Sequence, residues 1–149
     1  TCIGDNLSSL ENLTDFIRSK TNIVISIKIS PDWDNIKLMN IGEIIRSRNN
    51  IFVNAGNTQY KTLASLGYRA DLLKKGSGGI SGVALLPRTL EMTRLFHKQN
   101  VIVMATGGIS TYEHVLAAKD AGASLFGMAT SLIMDPFCIP KINHSLGAN

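Results

Sequence analysis

The chain has 149 residues, 44% of them apolar and 17% charged, with a formal net charge of +4. That is enough apolar surface for one domain with a core, which excludes a disordered chain, and no apolar run is long enough to span a bilayer. The basic residues, such as Arg18, Lys20, Lys74, Lys75 and Arg94, are scattered without interleaved aromatics, which argues against nucleic-acid binding and for a solvated surface.

In chain order, residues 6–20 place Leu10, Leu13 and Ile17 at helical spacing. Residues 23–29 read as a strand, with Ile23, Ile25, Ile27 and Ile29 on one face and Val24, Ser26 and Lys28 on the other. Pro31 ends it. Asp34 is placed to cap a helix running to about Arg48, with Leu38, Ile41 and Ile45 facing inward. Residues 51–54 form a short strand. Residues 55–84 are rich in Gly, Ser and Lys and show little regular pattern, and a stretch of that kind is often functional. A helix follows from about Pro87, a residue suited to a first turn, and buries Met92, Leu95 and Phe96. Residues 101–105 are wholly apolar, as in a parallel sheet covered on both faces. Ser110 and Glu113 read as a capping box, Gly122 closes that helix, and 124–128 is a last strand. Pro136 and Pro140 divide the final helical region.

Strands alternating with helices predict an α/β fold with a parallel sheet and right-handed crossovers. Four βα units are half of a (β/α)8 TIM-type barrel, whose full size is roughly 250 residues. Residues 1–149 are therefore expected to be a single half-barrel whose N-terminal counterpart is missing, because half a barrel leaves two open edges. Inner-face residues such as Val24 and Val53 would then lack an opposing wall. The chain begins at Thr1 without a secretory pattern, which reads as a processed or excised piece. The competing fold is a small open doubly wound sheet.

The chemistry-bearing candidates gather where barrel strands end, the face on which active sites of this fold form. Lys28 lies at the end of the first strand, on a face that needs a polar or anionic partner. Asn54-Ala55-Gly56-Asn57-Thr58 follows the second strand and offers amide donors and acceptors. The Gly78–Gly82 segment and Gly107-Gly108 can bring backbone N–H groups close to an anion. Ala129-Thr130 follows the last strand. Two cysteines, Cys2 and Cys138, and three separated histidines, His97, His114 and His144, match no metal motif, so no metal site is expected.

Gly78-Gly79-Ile80-Ser81-Gly82, then Pro87, then Ala105-Thr106-Gly107-Gly108-Ile109-Ser110, then Ala121-Gly122-Ala123-Ser124, then Met128-Ala129-Thr130 resembles the C-terminal half of dihydroorotate dehydrogenases. Lys28-Ile29-Ser30-Pro31 and Asn57-Thr58 resemble that family as well. The resemblance runs from residue 23 to about 140 and implies an FMN-dependent oxidation of dihydroorotate to orotate in pyrimidine synthesis. It implies that Lys28 bonds the flavin ring, that Gly56 lines it, and that Asn57 and Thr58 bond the pyrimidine. Ser81, Gly82, Gly107, Gly108, Ala129 and Thr130 would hold the phosphate. The family's base, a Cys or Ser on a loop ahead of the Lys28 strand, has no counterpart here. Cys2 lies on that side of the chain but lacks the Asn-rich surroundings, so the catalytic residue is expected outside this chain. The partners implied are the missing half or a second subunit, with a homo-oligomer for the complete protein. The location implied is the cytoplasm, or a mitochondrial membrane where an N-terminal anchor is present. Asp135-Pro136-Phe137-Cys138 resembles forms served by a separate flavin and iron–sulfur subunit. The competing reading is a non-catalytic half-barrel that binds flavin or phosphate and works by association.

Overall fold

The computed structural model describes residues 5–147. Helix α1 (Leu7–Lys20) is capped by Asn6, whose Oδ1 accepts the Ser9 N–H at 3.1 Å. Strand β1 (Ile25–Ile29) follows, then α2 (Asn35–Arg46), whose N-cap is Asp34, with Oδ1 accepting the Lys37 N–H at 2.8 Å. Next are β2 (Ile51–Ala55), β3 (Gln59–Thr62) and β4 (Ser77–Ile80). Helix α3 (Leu86–Lys98) carries Pro87 in its first turn and buries Met92 and Phe96. The chain closes with β5 (Val103–Thr106), α4 (Tyr112–Asp120), β6 (Leu125–Gly127), α5 (Thr130–Met134) and α6 (Cys138–Ser145).

The main sheet has the order β1-β2-β5-β6, and every neighbouring pair is parallel. This is the sequential, βα-alternating sheet expected from the sequence. One face carries Ile29, Val53, Ala55, Val103 and Ala105, all buried against the helix layer. Each large apolar side chain fully buried there contributes about 1.5–3 kcal/mol of transfer free energy. The other face carries Lys28, Asn54, Met104 and Leu125, which share one rung of the ladder.

That register corrects the expectation for Val53. It pairs with Ile27 and Val103, so it belongs to the helix-packed face and not to the inner one. Strand β1 also begins at Ile25 rather than at 23. Ile25 faces Ile51, and the preceding Asn50 turns with φ +57°, so Ile23 and Val24 have no neighbouring strand. The stretch 55–84 contains structure that the sequence pattern did not show, since β3 and β4 form an antiparallel hairpin pairing Gln59 with Ile80 and Thr62 with Ser77. The cap of α4 is Thr111 and not Ser110. Thr111 Oγ1 accepts the His114 N–H at 3.3 Å, while Ser110 Oγ lies 3.2 Å from His114 Nδ1.

Candidate functional site

The C-terminal ends of the strands open into a cleft of about 510 Å³, a size suited to a cofactor or small ligand. Strand β1 contributes Lys28, and the stretch after β2 contributes Gly56, Asn57 and Thr58. Ser81 and Gly82 come from the segment after β4. Strand β5 ends in Thr106 and continues into Gly107 and Gly108, and β6 leads to Ala129 and Thr130. All ten residues singled out from the sequence thus meet around one cavity, although they come from five separate stretches of chain.

Lys28 forms no ion pair or hydrogen bond with another described residue, so its ammonium is available to a ligand. Beside it in register lies Asn54, whose Oδ1 is buried and meets no partner among the described residues. Sequence reasoning included Asn54 in the amide-bearing stretch 54–58 but assigned the substrate contacts to Asn57 and Thr58. The available signal was a polar residue on the inner face of an otherwise apolar Ile-Phe-Val run. A second orphan is Thr106 Oγ1, also buried without a partner at the end of β5. A buried polar group left unpaired costs about 1–3 kcal/mol, and of these two residues Thr106 lines the cleft.

The far end of the cleft is backbone. Among the described residues, the N–H groups of Gly82, Gly107 and Gly108 donate to no protein acceptor, an arrangement suited to an anion. Gly108 has φ +78°, and a Cβ there would sit 2.4 Å from the Leu86 backbone nitrogen. Gly56 lies so close to the end of β5 that a Cβ would stand 1.4 Å from the Thr106 carbonyl oxygen. Both positions require glycine. The rim includes Asp135, whose carboxyl is held below the ordinary range by Lys141 at 2.6 Å and then by the Phe137 N–H. Cys138, a buried free thiol, also lines the cavity. Cys2 lies outside the described residues. Among the described residues no three His, Cys, Asp or Glu side chains are grouped to hold a metal, and no helix is long and apolar enough to cross a membrane.

A lysine, a buried orphaned hydroxyl and open backbone amides thus line one cleft at the ends of parallel strands, an arrangement suited to an anion. These residues fit a flavin mononucleotide, which presents a polar ring system and a phosphate. The chain belongs to the dihydroorotate dehydrogenase family, whose sequence model matches residues 3–149. It is 32% identical over 152 residues to the catalytic subunit of dihydroorotate dehydrogenase B (NAD(+)) of Bacillus mycoides, covering 97% of this chain and 47% of that protein. The same subunits of Bacillus cereus and Bacillus anthracis match to the same extent. The chain therefore spans about half the length of these curated relatives. Among solved structures, the ligand-free DHODH of Eimeria tenella aligns with a TM-score of 0.78 at 21% identity, over 96% of this chain and 45% of that one. The ferulenol complex of the Eimeria enzyme gives 0.71 at 24% identity, over 83% and 33%. The fold is accordingly that of part of a TIM-type barrel.

Proposed function

We propose that this chain forms the phosphate-binding half of an FMN-dependent enzyme that oxidises dihydroorotate to orotate in pyrimidine synthesis. The observation that carries this reading is the convergence of Lys28, the orphaned Thr106 hydroxyl and the unpaired Gly107-Gly108 amides on one cleft. When bound, FMN supplies the hydride acceptor, and the protein supplies orientation and electrostatics.

Lys28 would place a cation beside a bound flavin and so would favour its anionic reduced form. Asn57 and Thr58 offer amide and hydroxyl groups that would hold the carbonyl and N–H edges of a pyrimidine. Ser81, Gly82, Gly107, Gly108, Ala129 and Thr130 would hold the flavin's phosphate through backbone N–H groups and hydroxyls. The proton leaving the substrate goes to a base supplied from outside the described residues. The name of the Bacillus relatives, a catalytic subunit of an NAD(+)-linked enzyme, supports a partner subunit, and we place the complete protein in the cytoplasm. We extend the same reading to a homo-oligomer for the complete protein.

The test is to load the complete protein with FMN, add dihydroorotate without oxygen, and follow the flavin absorbance. Bleaching on a catalytic timescale is expected. A protein that binds FMN tightly but is never bleached by dihydroorotate would leave a flavin-binding module and overturn the enzyme.

A further inference from the structure

The two walls of the cleft are joined at a distance from it. One wall is the end of β1, where Lys28 is followed by a loop over residues 30–34. The other is the Ser81-Gly82 segment, which leads into α3. Arg88, in the first turn of α3, lies between them. Its Nε donates to the Pro31 carbonyl at 3.1 Å and its Nη2 to the Trp33 carbonyl. Its Nη1 donates to Asn35 Oδ1 and to Glu91 Oε2, each at 2.7 Å. Asn35 Nδ2 closes the cluster by donating to Glu91 Oε1 at 2.8 Å. The opposite side of the loop is held too, because the Asp32 carboxylate accepts the Tyr60 N–H at 3.1 and 3.2 Å.

One guanidinium thus holds the backbone and the flanking side chain of a single loop, while Glu91 of its own helix steadies it from the other side. An exposed ion pair such as Arg88–Glu91 adds little stability by itself. What this geometry does is fix the loop that continues the Lys28 strand against the helix that continues the Ser81-Gly82 segment. We propose that Arg88 is a positioning residue, which sets the separation between Lys28 and the phosphate-binding backbone. The proposal rests on the flavin reading above. A lysine cannot replace this arginine, because the contacts use several donors of a rigid planar fork and an ammonium is a point donor on a flexible stem.

The test uses the complete protein with FMN. Arg88→Ala is expected to raise the Kd for FMN about tenfold and to slow flavin reduction by dihydroorotate by about the same factor. Arg88→Lys keeps the charge and the aliphatic stem, so it guards against a simple folding failure, and it should show the same defects without rescue. In a Lys28→Ala background, Arg88→Lys should slow reduction no further, since the effect acts through Lys28. Three outcomes overturn the inference. One is a variant that melts earlier but keeps Kd and reduction rate within twofold, which makes Arg88 purely structural. Another is an effect fully additive with Lys28→Ala. The last is wild-type protein that takes up no FMN, which removes the proposed function as well and is recognisable because it needs no variant.

Discussion

Lys28 and Asn54 stand side by side on one rung, yet they are held in place for different reasons. Lys28 is exposed on the inner face and contributes nothing to the core, so Lys28→Ala should change stability by no more than about 0.5 kcal/mol. Its proposed work is electrostatic, and removing one such stabilising group slows a chemical step about a hundredfold. Stopped-flow reduction of bound FMN by dihydroorotate checks this, and an unchanged rate would take Lys28 out of the mechanism. Gly56 presents the opposite case. A Cβ 1.4 Å from the Thr106 carbonyl forces backbone to move, so Gly56→Ala should destabilise by about 1–3 kcal/mol or more. The denaturant midpoint should fall with little change in m. The residues of the cleft were legible because strand ends and glycine clusters announce themselves. Asn54 stood in the amide-bearing stretch, but that its Oδ1, like Thr106 Oγ1, is buried without a partner was not legible. Whether a hydroxyl or amide is paired depends on neighbours from other strands, and nothing in Val53-Asn54-Ala55 reports it.

The helices are tied by charge at their margins. Arg48, with only 11% of its side chain exposed, reaches back from the end of α2 to Asp15 at 2.6 Å and Glu11 at 3.2 Å on α1. The Asp15 carboxyl is held below its ordinary range by its hydrogen bond to Arg48, and Glu91 is held low first by Asn35 and then by Arg88. A carboxyl whose folded pKa is depressed adds stability above its unfolded pKa and loses it as pH falls through the folded value. The melting temperature should therefore hold from neutral pH to about 5 and fall below about 4, the ordinary carboxylate range. Arg48→Ala should make that acid fall shallower, because the Asp15 share is gone. Melting curves across pH check both statements, and a parallel acid limb in the variant would refute the assignment. The long strands and helices were readable because their apolar periodicity is strong. The β3–β4 hairpin was not, since Gln59-Tyr60-Lys61-Thr62 and Ser77-Gly78-Gly79-Ile80 bury no continuous face and use glycine, a poor strand former. The cap of α4 slipped by one residue because Ser110 engages the His114 ring and leaves the helix end to Thr111.

The main sheet is covered by helices on one face only. On the other, Leu125 is 46% exposed, with Phe52 and Met104 only partly covered. Strands β1 and β6 sit at the two ends of the sheet order, so each has one free edge within it. Unpaired edges beside an exposed apolar face recruit other chains. Because all four strands run parallel, a second copy turned by half a revolution about the barrel axis would set its β6 beside the first copy's β1, and the reverse, closing both edges at once. Residues 1–149 expressed alone should accordingly dimerise or aggregate. They should not turn over dihydroorotate even with FMN added, since the base is expected on a loop ahead of the Lys28 strand that this chain does not match. Light scattering gives the mass and a spectroscopic assay gives the turnover. A stable monomer would show that the inner face needs no partner. A monomer that also oxidises dihydroorotate would place the base within these residues, and the substrate half of the site would have to be found on this sheet and not on an opposing wall.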